Sequence, residues 1–454
     1  MYYKSMDMNK KNRGALPMLQ LTFPLAMEQI FRVLVSTADT LMLSGYDNSA
    51  AAGVAVTAQY VFFLNLIFSV IATGCSIVLS QYIGAQKHKE ELNHIAQASA
   101  VMMVLISIVL TVAVIFGTGP ILSLYDLEPD VRSSATTYFV IFGGICCFFN
   151  AFSLLQGSIL RTYGYTKEAM ITSIVANIIN VLGNAISIYG WFGLPVTGVA
   201  GVAWSSGISM IVSFFMFIYY IKRRKDVQFS LKKILNVPIQ SYRKVLSVGI
   251  PTAGESLSYN ISQILIMKMI TGLGTNAIAA QNYTQTVMRF VFAIAISIGN
   301  ATQIKAGYLV GSKQSDVAYK KVIKYQLIAT ACSTSLVILA NIFKNPIISL
   351  FPNIPELREY MKILFTCSIY IEIGRTLNLV YVGALKGAGD IKFPVFYGIF
   401  SMWGIMVLGS WIFGIKLGFG LAAFYLSIGT DETTRGIVML FRWKSKRWKK
   451  HALV

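Results

Sequence analysis

The feature that most constrains this chain is the recurrence of apolar stretches, each long enough to cross a lipid bilayer as a helix. A bilayer core about 30 Å thick requires about 20 mostly apolar residues per helix. Apolar residues make up 55% of the 454 residues and charged residues only 13%, so a soluble fold of this length would lack polar surface. We therefore predict an all-α membrane protein with twelve transmembrane helices near 17–43, 53–83, 95–117, 135–158, 168–190, 196–221, 245–271, 277–304, 322–343, 360–384, 393–414 and 418–441.

Basic residues are concentrated in alternate connections between these stretches. The chain has 39 lysines and arginines against 19 acidic residues, for a net charge of +20. Most of them share one side of the membrane with residues 4–13 and 442–450, and short positive loops face the cytoplasm. We predict a multi-pass protein of the cell membrane with both termini in the cytoplasm. No basic stretch is interleaved with aromatic residues, so nucleic-acid binding is not expected.

The second half of the sequence repeats the first. One shift superposes Glu28 on Glu255, and nearly the same shift pairs Arg161 with Lys386. Each half holds an even number of predicted helices, so both halves insert in the same orientation, and we predict two six-helix lobes related by a parallel pseudo-two-fold repeat. The predicted parts are an N-lobe with helices 1–6 at 1–221, a basic cytoplasmic connector at 222–244, a C-lobe with helices 7–12 at 245–441 and a basic cytoplasmic tail at 442–454.

The first predicted helix carries three charged residues on one stripe. Glu28 and Arg32 lie one helical turn apart, at a spacing that allows them to neutralise each other. Asp39 then remains an unpaired acid in a poor solvent, where ionisation is costly. Such a carboxylate can take up and release a proton as its surroundings alternate between wet and dry. The alternative is that Asp39 only caps the outer end of the helix.

A polar stripe follows the otherwise apolar fifth helix. Its members recur at spacings of three and four residues, which places them on one helical face: Ser173, Asn177, Asn180, Asn184 and Ser187. Ser206 on the sixth helix is a further candidate for this group. Amides and hydroxyls also hold membrane helices together, so the stripe predicts either a cation or proton path or an interhelical contact.

Charged residues also occur inside the predicted helices of the second half. Glu255 shares one face of the seventh helix with Tyr259 and Ser262. Lys268 has no local partner and lies close to a helix end, from which its ammonium group can extend to the interface. Arg289 also lacks a local partner, and we expect it to face a cavity or a carboxylate from another helix.

Two further acids of the second half each have a base one turn away. Glu372 precedes Arg375 on the tenth helix, and Asp431 precedes Arg435 on the twelfth. These spacings predict ion pairs within each helix. Paired acids are typical of structural contacts, so both rank below Asp39 as coupling groups.

The sequence lacks the motifs of several other functional classes. No glycine precedes a lysine, so the phosphate-binding loop GxxxxGK[ST] of ATP-driven pumps is absent. The three histidines and five cysteines form no zinc-type cluster. We therefore predict a secondary transporter rather than an enzyme, without a cofactor.

Short motifs follow one another in a fixed order along essentially the whole chain. In the first half these are Pro24 with Glu28-Gln29, then Asp39-Thr40-Leu41-Met42, then the run from Gly157 to Arg161. In the second half they are the run from Glu372 to Asn378, the run from Leu385 to Pro394, and Asp431 with Arg435-Gly436. Together with the duplication, this order resembles the multidrug and toxic compound extrusion (MATE) transporters of Gram-positive type.

The resemblance also implies roles for individual residues. In many members an acid in the first helix is the coupling group, and Asp39 stands at that position, with Asn180, Asn184 and Ser206 at the polar positions around it. Several H+-coupled members have an aspartate where this chain has Asn184, which leaves both H+ and Na+ open. A sodium ion would lie near Asp39 or Glu255. Some members place ion or substrate contacts in the second lobe, which makes Glu255 and Glu372 candidates.

The function that the resemblance implies is a secondary active multidrug efflux antiporter. It would export organic, often cationic, compounds in exchange for H+ or Na+ by alternating access, and so confer drug resistance. Its partners would be a drug-like or metabolite substrate and the lipid bilayer, and we expect a monomer. An alternative on the same fold is an exporter or flippase of a metabolite or lipid-linked precursor, for which the candidate inward-facing bases are Arg32, Lys268, Arg289 and Arg375. A membrane-embedded enzyme lacks a catalytic constellation, and a scaffold does not explain the duplication.

Overall fold

The described part of the protein is helical throughout. The structure is a computed structural model that describes residues 16–230 and 234–454, so the basic residues 4–13 lie outside it. Within the described ranges there is no β-strand. The α-helices are α1 (Met18–Tyr46), α2 (Asn48–Gly84), α3 (Lys89–Leu122), α4 (Pro129–Tyr138), α5 (Cys147–Thr162), α6 (Thr166–Tyr189), α7 (Gly198–Arg223), α8 (Ile239–Thr271), α9 (Thr275–Gly311), α10 (Ser315–Ile342), α11 (Lys344–Ser349), α12 (Pro355–Gly387), α13 (Lys392–Ser401) and α14 (Gly420–Lys444).

These helices account for the twelve predicted spans. Among the described residues, nine helical segments are long and apolar enough to cross a bilayer, and a tenth span consists of α4 and α5. The helices α8 and α14 are 33 and 25 residues long but less apolar, because each carries several charged side chains. The predicted all-α membrane class is therefore confirmed.

Two spans differ from the continuous α-helices that the sequence predicts. The span expected at 135–158 contains a π-helical turn at Phe139–Ile145 and bends by 51° where α5 begins. The span expected at 393–414 is α13 followed by π-helical turns at Met402–Val407 and Ser410–Lys416. A π turn accommodates an extra residue in the helix, and no proline marks these turns in the sequence.

Contacts divide the chain into two compact units. We call Met27–Leu79 with Lys87–Ala253 the N-unit. The C-unit comprises the described part of Met1–Ala26, together with Ser80–Gln86 and Gly254–Val454.

Small residues bring α6 and α7 of the N-unit into close contact. Gly183 of α6 lies against Ser205, and Gly201 of α7 lies against Ser187. A Cβ atom on Gly183 would come within 2.7 Å of the Ser205 Cβ, so only glycine fits there. Such close approach through small side chains is typical of helix pairs in membranes. It places the polar face of α6 directly beside α7.

Large apolar side chains fill the C-unit between α9, α12 and α14. Phe365, Met406 and Phe424 are fully buried in this core. A second cluster surrounds Trp443 and Trp448, whose rings stack with centroids 4.2 Å apart. The charged side chains of α12 and α14 are thus held between two well-packed apolar regions.

Candidate functional site

Asp39 of α1 lies in a pocket of amide and hydroxyl groups in the N-unit. Its side chain is partly buried, and its Oδ1 accepts a hydrogen bond of 2.8 Å from the Asn184 amide of α6. Asp39 forms no ion pair with a basic residue anywhere in ranges 16–230 and 234–454. It is therefore a carboxylate that neutral donors hold, without a fixed positive partner.

Asn180 links Asp39 to α7. In the orientation that satisfies both amide atoms, its nitrogen donates to Asp39 Oδ2 at 3.1 Å and its oxygen accepts from the Ser206 hydroxyl at 3.0 Å. Tyr138, at the end of α4 beside the π turn, also interacts with Ser206 and Asp39. The structure thus brings together Asp39, Asn180, Asn184 and Ser206 and adds Tyr138, which the sequence analysis did not single out.

Asn177 does not join this group. Its side chain makes no hydrogen bond within the described chain and is partly exposed. It lies one helical turn before Asn180 in α6. Asn184 also keeps one unsatisfied atom, since its buried Oδ1 has no partner. The amide nitrogens around Asp39, and not the amide oxygens, therefore point at the carboxylate.

Glu28 has a stronger partner than the one predicted. Arg32 does contact it at 3.2 Å, but the Arg32 side chain is 61% exposed. Arg161 of α5 donates through Nη1 to both Glu28 oxygens at 3.1 Å, and its side chain is only 20% exposed. Arg161 lies beyond the span predicted near 135–158, but α5 continues to Thr162 and carries the guanidinium inside the N-unit.

Glu255 has an analogous partner in the C-unit. The Lys386 ammonium donates to Glu255 Oε2 at 2.6 Å, and both side chains are largely buried. Lys386 also lies beyond its predicted span, near 360–384, but α12 extends to Gly387 and holds it inside the unit. Since Glu28 matches Glu255 and Arg161 matches Lys386 in the repeat, the same ion pair occurs once in each unit.

A network of buried charges joins α12 to α14. Both predicted pairs are present, with Arg375 Nη1 2.5 Å from Glu372 Oε1 and Arg435 Nη2 2.8 Å from Asp431 Oδ2. Glu432, which the sequence analysis did not single out, connects them through contacts with Arg375 at 3.5 Å and Arg435 at 3.3 Å. The network therefore has three carboxylates around two guanidinium groups.

A cavity of about 350 Å³ opens beside this network within the C-unit. The predicted residues Tyr259, Glu372, Arg375 and Arg289 all line it. Glu255 and Lys268 are not among the lining residues. In the described ranges, no three His, Cys, Asp or Glu side chains are grouped so as to hold a metal ion.

The sequence matches the MatE family profile twice, over residues 24–186 and 251–412. The chain belongs to the MatE family. The two matched segments begin at Pro24 and Pro251 and confirm the predicted repeat. Each half of the chain therefore contains one copy of the MatE sequence unit.

Curated relatives and solved structures agree with the MatE assignment. The "Uncharacterized transporter YisQ" of Bacillus subtilis is 36% identical over 448 residues, which cover 98% of each chain. The "Probable multidrug resistance protein NorM" of Thermotoga maritima is 24% identical over 96% of this chain and 94% of its own length. A solved outward-facing multidrug resistance MATE family transporter superposes with a TM-score of 0.89 at 18% identity, over 97% of this chain and 98% of that one. This protein is therefore a MATE-type membrane transporter and not an enzyme.

Proposed function

We propose that this protein is a secondary active antiporter that exports small organic compounds in exchange for protons. The observation that carries the proposal is Asp39, a partly buried carboxylate inside a membrane helix that only neutral groups hold. An ionisable group at such a position is costly and by default marks a transport or proton site. The similarity to relatives named as multidrug resistance proteins supports drug-like organic compounds as the substrate class.

Asp39 can alternate between two states with the partners that it has. When the carboxylate is ionised, Asn184 and Asn180 stabilise it by donating N–H groups at 2.8 and 3.1 Å. When a proton binds, the negative charge disappears and the cost of burying the group falls. A protein that exposes Asp39 to opposite sides of the membrane in these two states couples proton entry to substrate exit.

We favour a proton over a sodium ion as the coupling ion. Sodium would require several oxygen ligands, whereas the Asn184 amide presents its nitrogen to Asp39 at 2.8 Å. Asp39 is the only acid in this group of side chains as the structure describes it. A proton needs only one carboxylate oxygen, and the amide that donates to that oxygen can turn to accept from the new O–H group.

The proposal also covers the membrane orientation, the direction of export and the oligomeric state. The basic loops support a cell-membrane protein with both termini in the cytoplasm. Export then proceeds by alternating access, with Asp39 loaded from the outside and emptied to the inside. A single chain carries both halves of the repeat, so we propose a monomer as the working unit.

Purified protein in liposomes tests this function. A panel of cationic, zwitterionic and anionic organic compounds is offered under an imposed pH gradient or an imposed sodium gradient. We expect the pH gradient alone to drive accumulation, and Asp39→Asn to reduce it to the level of protein-free liposomes. Asp130→Asn, which removes an exposed acid from the first turn of α4, is the matched control and should transport normally.

The outcomes separate the parts of the proposal. Accumulation that a sodium gradient drives, without a pH gradient, would reject the proton but leave the antiport function. Undiminished pH-driven accumulation by Asp39→Asn would reject Asp39 as the coupling group. The absence of gradient-driven transport for every compound would reject the function itself.

A further inference from the structure

The cavity of the C-unit has a net positive lining. Its charged residues are Glu372, Arg375 and Arg289. Glu372 and Arg375 form an ion pair at 2.5 Å, and Arg375 also contacts Glu432 at 3.5 Å. The charges of the lining residues sum to +1, and Arg289 is the lining charge without a partner in the described chain. The network beside the cavity has one carboxylate more than it has guanidinium groups.

Arg289 has no counter-ion in the described chain. It forms no ion pair with any carboxylate of residues 16–230 or 234–454, and its side chain is exposed. It lies 14 positions after the first residue of α9, about 20 Å along the helix at 1.5 Å per residue. From there the side chain is too short to reach either end of the 37-residue helix. An ionisable side chain within a membrane helix that faces a cavity marks a candidate ligand site.

Two further groups in the cavity lack partners. The Tyr425 hydroxyl is buried, with the residue only 4% exposed, and makes no hydrogen bond. The Glu372 Oε2 atom is also buried and unpartnered, although Oε1 binds Arg375. Buried polar atoms of this kind are normally satisfied, and these two belong to residues that line the cavity. Tyr425 can donate to an acceptor, and Glu372 Oε2 can accept from a donor.

The remaining walls combine apolar and aromatic side chains with the polar Asn260, Gln263, Gln285 and Ser368. Met288, Phe292, Ile371 and Ile428 line the cavity together with the charged groups. Arg375 already lies over the Phe292 ring at 5.1 Å, so that ring has one face engaged. A volume of about 350 Å³ accommodates a molecule with one or two fused rings.

We propose that this cavity binds aromatic organic acids or zwitterions through their carboxylate, with Arg289 as the counter-ion. The carboxylate accepts hydrogen bonds from Arg289 and Tyr425, the ring system packs against Phe292 and Ile428, and a donor group of the ligand reaches Glu372. The proposal rests on the export function proposed above and defines the charge of its substrates.

Equilibrium binding to the full-length protein in lipid nanodiscs tests the proposal without a gradient. The probes are aromatic carboxylates such as 2-naphthoate, each paired with its primary amide of the same shape, and the corresponding aryl-trimethylammonium ions. Binding to empty nanodiscs is subtracted. We expect the wild type to bind each carboxylate roughly tenfold or more tightly than its amide, as a charge-assisted hydrogen bond allows.

Three variants assign the preference to Arg289. Arg289→Gln should bind carboxylate and amide alike, and Arg289→Lys should keep part of the preference because it keeps the charge. Lys268→Gln removes one positive charge from the same unit outside the cavity and should behave as the wild type. The comparison of ligand pairs on the wild type does not depend on whether any variant folds.

The proposal is overturned if the wild type shows no preference for carboxylates, if it prefers the ammonium ions, or if Arg289→Gln keeps the full preference. Asp39→Asn should retain the carboxylate preference, since Asp39 lies in the N-unit. A wild type that binds carboxylates preferentially but shows no gradient-driven transport of any compound would contradict only the export function. Transport without a carboxylate preference would contradict only the present inference.

Discussion

At the scale of single residues, the buried charges of this transporter are held by partners on other helices. Glu28 is only 4% exposed and relies on Arg161, while Glu255 relies on Lys386. Both pairs occur at matching positions of the repeat. A buried carboxylate that loses its partner is strongly unfavourable, whereas an exposed pair contributes little.

Substitution of each of the two arginines around Glu28 compares the loss of a buried partner with the loss of an exposed one. Arg161→Ala should lower the free energy of unfolding by about 3 kcal/mol, because it leaves the buried Glu28 carboxylate without its main partner. Arg32→Ala should cost less than about 1 kcal/mol, because that side chain is 61% exposed. Denaturant unfolding of the detergent-purified variants measures both values. Equal losses in the two variants would contradict the assigned ranking of the partners.

The sequence predicted the pairs within one helix and missed those between helices. Glu372 with Arg375 and Asp431 with Arg435 follow from spacings of three and four residues. The spacing of three residues between Glu432 and Arg435 was visible but was not singled out, and the contact of Glu432 with Arg375 on another helix leaves no local spacing. The ion pairs that Arg161 and Lys386 form with Glu28 and Glu255 were not predicted, because the helices of both bases end later than hydropathy suggests.

At the scale of helices, small residues decide how close α6 and α7 approach and so where the polar face of α6 lies. Gly183 immediately precedes Asn184, the amide that contacts Asp39. Its Cα faces Ser205 so closely that a Cβ would lie 2.7 Å from the Ser205 Cβ. The packing of this helix pair and the geometry around Asp39 are therefore linked through neighbouring residues.

Gly183→Ala should push α6 away from α7 and displace Asn184. We expect a loss of about 1–3 kcal/mol in stability, as for other overpacked sites, and a lower rate of pH-driven transport. Gly119→Ala is the matched control in α3, where a Cβ would meet nothing within 4 Å, and it should change stability by less than about 0.5 kcal/mol. Thermal unfolding and liposome transport measure the two effects. Wild-type stability and transport in Gly183→Ala would contradict the link.

Hydropathy predicted the positions of the helices but not their local irregularities. Each span needs only a run of apolar residues, and such runs are visible in the sequence. The bend after the π turn at Phe139–Ile145 depends on one extra residue in one helical turn, which leaves no trace in an apolar segment without proline. That bend bears on the site, since Tyr138 directly precedes the π turn.

At the scale of the molecule, the C-terminal tail is packed into the C-unit. Arg442 pairs with Asp390 at 2.7 Å, and Lys449 pairs with Asp316 at 2.8 Å. The Leu453 backbone N–H donates to Gln81 Oε1 at 2.7 Å. Trp448 is fully buried against Trp443, so the basic end of the chain is a structural part of the unit.

Removal of the Trp448 ring should therefore destabilise the protein. Trp448→Ala deletes a large buried side chain and should cost about 3–5 kcal/mol, which appears as a lower unfolding temperature in detergent. Trp411→Ala, at a ring that is 39% exposed, should have a small effect. An unchanged unfolding temperature in Trp448→Ala would show that the tail contributes nothing to the stability of the unit.

The most direct test of the account is the movement of protons that accompanies substrate exit. Liposomes that contain the protein, a trapped pH-sensitive dye and a transported compound are diluted into compound-free buffer, and the internal pH is recorded. For the wild type and Asp130→Asn, we predict that efflux of the compound acidifies the interior. Asp39→Asn should produce no acidification, whether or not it releases the compound. Acidification by Asp39→Asn at the wild-type rate would contradict the claim that Asp39 carries the proton.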